Sequence, residues 1–574
     1  VSSRETSSDL EIDASNSGAT PIGAPIRAGG AESIGWDDEC DVLVVGFGAA
    51  GACAAIEAAN AGASVIVTDR FRGGGASAKS GGVVYAGGGT RFQKTAGYED
   101  SPEAMYEYLS MEVGDAVDRG TLRDFCDRSV EMIEWLEAHG VEFDATVPPC
   151  KTSYPADGYY LYFSGNETIK EYAGKHSPAP RGHRVKGAGL SGAMLFRALR
   201  QSVNAAGARV MPQSSVRRLV VDSKSGAVLG AELWQFEADS RAAKRHRRLS
   251  RWADQMQYPA PGVADMLRRR ALAVELADAR PLLVRARAGV ILSTGGFIFN
   301  REMVARHAPK YLRNFRLGTS GCDGSGIRLG ESVGGEAARL ERVSAWRFIN
   351  PPLAWARGMI VDSHGARFCN EEVYGARLGF EMCEHHGGKA FLVIDSTIRR
   401  DAVKEALSGK LWGFQSIPAL VLTYAGAKRG KSIEELARKI GADPSTLRQS
   451  WQTYNQAAHS GEDPLGKSRD LLHPLEAPPL YALDISVDKR VFPCAALTLG
   501  GLRVDESDGA VRTAAGGTVS GLYAAGRAAV GIASNNYVSG LALADCVWSG
   551  RRAGRAAAAT LAHCPRHAEA AGYI

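Results

Sequence analysis

The chain has 574 residues, of which 45% are apolar and 23% charged, an ordinary globular balance that excludes a small disulfide scaffold. Its formal net charge of +5 implies no field of the size typical of nucleic-acid binders, and no apolar run approaches the roughly 20 residues that a membrane span requires. The length is too great for one ordinary core, so two interlocked domains are expected. Glycine departs from the norm: its 67 residues cluster in pairs and triplets inside patterned sequence, which suggests backbone packed against a ligand.

In chain order, residues 1–35 are rich in Ser, Gly, Ala and acids and are predicted to be a disordered lead. The segment from Asp41 to Arg70, DVLVVGFGAAGACAAIEAANAGASVIVTDR, then predicts a buried strand, a helix of small residues and a second strand. In this beta-alpha-beta unit Gly46 permits the tight turn, Gly48 lets a pyrophosphate approach the backbone, and Gly51 lets helix and strand pack closely. The helix amino terminus favours negative charge. Asp69, at the end of the second strand, is placed to accept hydrogen bonds from ribose hydroxyls. The unit predicts dinucleotide binding. None of the ten cysteines, from Cys40 to Cys564, stands in a CxxC spacing, and Cys53 is expected to pack as a small apolar residue, so a reducing cytoplasm suits the chain.

A second glycine-rich stretch, GGGASAKSGGVVYAGGG, spans Gly73 to Gly89; a nicotinamide enzyme has no need of it, whereas a protein wrapping extended FAD does. VILSTGGF (290–297), SGCDGSGIRLG (320–330), TLGGLRVDESDGAV and GLYAAGRAAVG follow. In combination and order these blocks resemble the fumarate reductase and succinate dehydrogenase flavoprotein superfamily over about residues 38 to 560. The resemblance implies an α/β fold: a Rossmann-like FAD-binding domain with a mixed, mostly parallel sheet, formed by residues 36–334 and 485–574, and an inserted α+β capping and catalytic domain, residues 335–484. Within the cap, SIEELARKI and PSTLRQSWQTYNQAA are amphipathic. The resemblance also implies FAD contacts at Gly46, Gly48, Ala49, Ala50, Gly51, Asp69 and Arg70. The glycine-rich stretch would add Gly75, Ala76, Ser77, Ser80, Gly81 and Gly82, and the later blocks Thr294, Gly295, Gly296, Asp323, Gly526, Gly540, Leu541 and Ala542. No histidine stands in GGGASAKSGG, where the covalently flavinylated relatives carry one, so noncovalent FAD is expected.

Residues 234–286 are extra to this pattern and Arg-rich, with Arg241, Lys244, Arg245, Arg247, Arg248 and Arg251, then Arg268, Arg269 and Arg270. They read as a solvated helical face, with a membrane-surface or partner contact as the alternative. His176, His183, His385 and His386 show no metal spacing and read as surface or core residues. No metal is expected. No second dinucleotide motif with flanking strands is visible, so electrons are expected to leave to a quinone, a carrier protein or a dye rather than to exchange directly with NAD(P)H.

The substrate class turns on two blocks. Dicarboxylate enzymes of the superfamily clamp a carboxylate with an arginine in the closing block and deliver a proton from another arginine after an RFxNE block. Here the closing block is SNNYVSGLALADCVWSG, with Tyr537 in place of the clamp, and RFCNEE is followed by Tyr374, with Arg377 nearby. Phenols are poor carboxylate clamps but good donors to a ketone oxygen. Tyr537, Ser539 and Tyr374 together resemble the 3-ketosteroid dehydrogenases, most closely those acting between carbons 4 and 5; the 1-dehydrogenases carry a Pro- and Gly-rich turn that is absent here. That resemblance implies that Tyr537, with a backbone amide such as that of Ala542, holds the ketone oxygen. Ser539 would take the carbon-4 proton with help from Tyr374. A helix N-cap is the bland alternative for Ser539. The run SYPADGYYLYFSGNE (153–167) offers flat surface to a fused-ring ketone or, equally, forms a hairpin packed by its own aromatics.

Overall fold

A computed structural model describes residues 18–174 and 177–563; residues 1–17 of the expected lead, His176 and Cys564 lie outside the described residues. Residues 18–35 correct the expectation of a disordered lead. Ile26–Ala28 (β1) pairs in parallel with Val220–Asp222, and Thr20 donates through its backbone N and Oγ1 to Asp323 Oδ2 at 2.8 and 2.7 Å. The partners of this segment, a sheet edge and a buried carboxylate, lie far along the chain and leave no periodic trace in the lead.

The beta-alpha-beta unit forms where its spacing predicts it: Asp38–Val45 (β2), Ala49–Asn60 (α1) and Val65–Asp69 (β3), with the two strands parallel. β2 is apolar without alternation because it is covered on both faces. The chain then supplies Arg209–Pro212 (β4), Ser214–Asp222 (β5), Val228–Gln235 (β6), the helices Arg241–Met256 (α2) and Pro261–Asp278 (α3), and the long strand Arg280–Leu292 (β7). A nine-stranded sheet results, in the order β1-β5-β6-β7-β2-β3-β4, with two further strands from the closing segment, one paired with β7 and the other with that strand. β7 changes partner along its length. It runs antiparallel to β6 over Arg280–Arg285 and parallel to β2, and its end at Val290–Leu292 lies parallel to Leu522–Ala524. The sheet is therefore mixed and mostly parallel, as expected.

The Arg-rich segment is narrower than its composition suggests, because Trp234 and Arg280 already belong to main-sheet strands. Between them α2 and α3 enclose a small core of Leu249, Ala253, Leu267, Ala271 and Val274 against Trp234 and Phe236. Arg241, Lys244, Arg245, Arg248 and Arg251 are exposed. Arg268 instead turns inward and donates to Asp265, Gln257 and Ser320 at 2.7, 2.6 and 2.9 Å.

After Val343–Trp346 (β8) the chain enters the cap: Met359–Val361 (β9), Gly375–His385 (α4), Phe391–Ile394 (β10), Ser396–Ala406 (α5), Gly413–Val421 (α6), Ala427–Gly430 (β11), Ile433–Ile440 (α7), Pro444–Ser460 (α8) and Leu480–Asp484 (β12). Its four strands form an antiparallel sheet in the order β9-β10-β12-β11. α7 and α8 are the two segments whose amphipathic pattern predicts helix. The chain leaves through Ala495–Thr498 (β13), antiparallel to β8, so the outgoing strand lies against the incoming one. Ala510–Arg512 (β14) and Thr518–Ala524 (β15) then close the main sheet, and Leu541–Ala559 (α9) packs along α1. Small residues make that contact possible: a Cβ on Gly550 or Gly554 would lie 2.4 or 2.3 Å from the carbonyl oxygens of Ala50 and Ala54. Part of the glycine excess is thus helix packing rather than ligand contact.

Candidate active site

A cavity of about 740 Å³ is lined by the carboxyl ends of β2, β3 and β7 on one side and by cap residues on the other. Ligand sites of open α/β sheets lie at this edge. Of the expected cofactor positions, Gly46, Gly48, Ala49, Ala50, Asp69, Arg70, Gly75, Ala76, Ser77, Ser80, Gly81, Thr294, Gly295, Gly526, Gly540 and Ala542 line the cavity. Gly51, Gly82, Gly296, Asp323 and Leu541 do not, and each has a physical reason. A Cβ on Gly51, Gly82 or Gly296 would strike Gly46 O at 1.9 Å, the Ser191 carbonyl carbon at 2.6 Å or Thr498 Oγ1 at 2.3 Å, so these three serve packing. Leu541 is buried and its N–H donates to Val538 O at 3.0 Å. Asp323 is occupied inside the protein, where Oδ2 accepts from Thr20 and from Arg70 at 3.0 Å, and Oδ1 from Ser325 N at 3.0 Å.

Asp69 lines the cavity and also ties its loops together. Its Oδ2 accepts from Phe47 N at 3.0 Å, and its Oδ1 accepts from Phe71 N at 2.8 Å and Gly73 N at 3.2 Å. Arg70 pairs with Asp323 and with Glu275 of α3. Burial raises the Glu275 carboxyl, but Arg70 and Arg217 outweigh it and hold the group at about 2. The inserted helices also reach the cavity through Asp254, Gln257 and Tyr258, which corrects their reading as a purely solvated face.

A Cβ on Gly75 would meet nothing within 4 Å, and one on Gly48 would meet Ser77 Oγ at 3.5 Å, so backbone faces open space there. Gly48 caps α1 with no side chain of its own, and although Ser77 Oγ accepts from Ala49 N at 3.1 Å, the helix amino terminus lies at the cavity. Arg527, one residue after Gly526, is a cavity residue that sequence reasoning missed. Its Nη2 lies 3.5 Å from Cys322 Sγ, and its buried Nη1 has no hydrogen-bond partner among the described residues. Open backbone, a helix amino terminus and a guanidinium with one free nitrogen fit a phosphate-bearing cofactor such as FAD.

Tyr537, Ser539 and Tyr374 all line the same cavity. Gly540, at φ +91°, is the N-cap of α9, and no side chain caps that helix, so Ser539 is free of the capping role. Its backbone is instead clamped, with Ser539 N donating to Ser164 O at 3.2 Å and Ser164 Oγ donating to Ser539 O at 3.0 Å. Tyr162 Oη lies 3.3 Å from Ser539 Oγ. Burial pushes the Tyr374 phenol well above the usual range and neighbouring Tyr537 and Tyr162 add to this, while the nearby Ser539 hydroxyl opposes it. Burial likewise raises Tyr537 to about 12, against the pull of Arg527 and the Gly540 amide. Both phenols therefore hold their protons at neutral pH.

Tyr374 is positioned by its backbone, whose N–H donates to Asn166 Oδ1 at 2.7 Å, and Asn166 Nδ2 in turn donates to Glu112 Oε1 at 2.9 Å. Tyr162, Ser164 and Asn166 thus hold Ser539 and Tyr374 in place, a role that sequence reasoning missed. The tyrosine-rich run does not fold on itself as a hairpin: Leu161–Tyr162 pairs with Gly182–His183. From residues 153–167 only Ser153 and Tyr154 line the cavity. The flat walls come chiefly from the cap and its flanks, including Trp346, Phe348, Pro351, Phe414, Pro418 and Phe492. The Trp346 and Tyr537 ring centroids are 4.9 Å apart, and those of Phe348 and Tyr374 6.0 Å. Arg377 pairs with Glu381 at 2.9 Å and does not line the cavity. Chemically, the corner offers hydroxyl donors and a hydroxyl proton carrier beside aromatic walls.

The family described as FAD binding domain matches residues 41–543. The chain is 45% identical over 517 residues to the 3-oxo-5-alpha-steroid 4-dehydrogenase of Comamonas testosteroni, covering 88% of this chain and 96% of that protein. It is 27% identical over 563 residues to a 3-oxosteroid 1-dehydrogenase of Mycobacterium tuberculosis, covering 87% of this chain and 94% of the relative. Among solved structures, the 3-ketosteroid-delta4-(5alpha)-dehydrogenase of Rhodococcus jostii RHA1, in complex with 4-androstene-3,17-dione, matches with a TM-score of 0.78 and 30% identity over 93% of this chain and 99% of that one.

Proposed function

Because the chain belongs to the FAD binding domain family, we propose that it is an FAD-dependent dehydrogenase of 3-ketosteroids that desaturates ring A between carbons 4 and 5. The observation that carries this reading is Ser539 Oγ, set beside Tyr162 and Tyr374 in the same aromatic-walled cavity as Tyr537. The likeness to the Comamonas testosteroni 4-dehydrogenase, which extends over nearly its whole length, supports it.

Removing hydrogens from carbons 4 and 5 first requires that the carbon-4 proton be made acidic. Tyr537 Oη and the Ala542 amide at the start of α9 donate to the ketone oxygen and stabilise the charge that develops there. In the minor fraction of molecules whose Tyr374 is ionised, Ser539 Oγ accepts the carbon-4 proton and passes its own to the Tyr374 oxygen, so one carbon–hydrogen bond is replaced by one phenolic oxygen–hydrogen bond. Tyr162 orients the serine. FAD, when bound, supplies the acceptor for the hydride from carbon 5. The aromatic walls and the cap exclude water from the ring.

FAD is held noncovalently in this reading, consistent with the absence of histidine from GGGASAKSGG. Electrons then pass to a quinone, a carrier protein or a dye. The test is anaerobic mixing of the oxidised yellow protein with a saturated 5-alpha-3-ketosteroid. Bleaching of the flavin with formation of the 4-ene product is expected. Rapid bleaching by succinate, or a 1-ene product, would replace the substrate assignment.

A further inference from the structure

One face of the cap is left largely exposed among the described residues, its ring contacts limited to Trp412 beside Phe414 and Arg399 over Tyr424. α6 continues as a π-helical turn, Leu422–Gly426, and along this segment Phe414, Ile417, Val421 and Tyr424 recur at spacings of three, four and three residues, the repeat of one helical face. All four are exposed, at 55, 62, 38 and 62%, with Leu407 beside them in sequence at 67%. The opposite face carries buried Ala419 and Thr423, and Trp412 Nε1 and Gln415 Nε2 donate to Pro155 O and Tyr154 O at 3.1 and 3.2 Å. The helix is thus anchored inward while an apolar stripe points outward.

The stripe is bracketed by cations. Residues 396–431 hold seven lysines and arginines against two acids, a formal +5 that equals the net charge of the whole chain. Both acids are engaged: Asp401 pairs with Arg357, and Glu405 accepts from the Leu353 and Ala354 amides. Arg400, Lys404, Lys410, Lys428, Arg429 and Lys431 are exposed. The stripe is also continuous with the candidate site, because Phe414, Gln415 and Pro418 line the cavity.

We infer that this face of the cap docks on an anionic phospholipid bilayer, the apolar stripe entering the headgroup boundary and the flanking cations meeting acidic headgroups. Basic residues beside an apolar helical face suit that partner, since the two attractions act together at one interface. A second copy of the chain would have to bring acidic groups to the same place, and its own copy of the stripe brings cations. The choice of occupant rests partly on the ketosteroid reading, because a fused-ring ketone partitions into lipid and the stripe stands at the mouth through which it would pass. The location differs from the Arg-rich helices that the sequence points to. Among the described residues no helix is long and apolar enough to cross a membrane, so the contact is peripheral.

The test uses the full FAD-loaded chain, without steroid, sedimented with vesicles of phosphatidylcholine alone or mixed with phosphatidylglycerol. The protein is expected to pellet with the mixed vesicles and to be released by high salt. An Ile417→Glu/Val421→Glu variant should lose about tenfold or more of this binding, and Lys428→Glu/Arg429→Glu several-fold. Neither pair lines the cavity, so flavin reduction by dissolved steroid should be unchanged in both. Failure of the wild type to pellet, equal pelleting of all variants, or a dimer in sedimentation velocity that Ile417→Glu dissociates would overturn the inference. Because the docking arm needs no steroid, its failure is separable from failure of the proposed reaction.

Discussion

At the cradle end of the cavity, ligand-facing groups come mainly from backbone, and the part from Gly46 to Ser80 is nearly continuous in sequence. At the tyrosine corner they are the side-chain hydroxyls of Tyr374, Tyr537 and Ser539; Ser539 is held by Tyr162 and Ser164, and Tyr374 by Asn166, all from another segment. The cradle is therefore sensitive to added volume and the corner to lost polar atoms. A backbone surface has nothing to delete, whereas a hydroxyl removed from a buried network leaves its neighbours unpaired.

The contrast is broken most strongly by two glycines of one motif. Gly51→Ala places a Cβ 1.9 Å from a backbone oxygen, which demands movement of α1 beyond ordinary overpacking of about 1–3 kcal/mol, so little folded, flavin-loaded protein should be recovered. Gly48→Ala meets nothing closer than 3.5 Å, so it should keep the wild-type melting temperature while retaining less flavin after gel filtration. Equal melting temperatures for the two variants would show that the cradle is not divided into packing and ligand-facing glycines.

At the corner, Tyr537→Phe removes a donor used mainly as charge develops. Flavin reduction in stopped flow should slow by about two to three orders of magnitude, with FAD still bound and steroid affinity changed much less. Loss of flavin from this variant would mean that the corner and the cradle are not separable.

The smallest effect is on pH dependence. Burial raises Tyr374, so its ionised form is scarce at neutral pH, and below a group's pKa the ionised fraction grows by about tenfold per pH unit. If that form receives the proton, flavin reduction should accelerate as pH rises from about 7 to 10, with a gain of up to about tenfold per unit. Tyr537, raised to about 12, keeps its donor proton throughout, so no alkaline fall should appear in that range. Tyr374→Phe should abolish the slope. A flat profile in the wild type would remove the phenol from the relay.

The beta-alpha-beta unit, its glycine turn and the amphipathic cap helices α7 and α8 were legible because strand and helix periods and turn glycines are local properties of consecutive residues. The dinucleotide reading follows from those features, and the positions of Tyr537, Ser539 and Tyr374 were reached through blocks resembling a known family. Other features had no local signature. Arg268 turns inward from a run that reads as solvated, Asp323 is occupied by Thr20 from the lead and by Arg70, and Tyr162 meets Ser539 across 377 residues of chain. Which glycines face the ligand and which face a helix, and which tyrosine touches the serine, depend on the packing of distant segments. Hydrogen bonds and close contacts made across such separations impose no period on either partner's sequence, so only the assembled tertiary structure decides them.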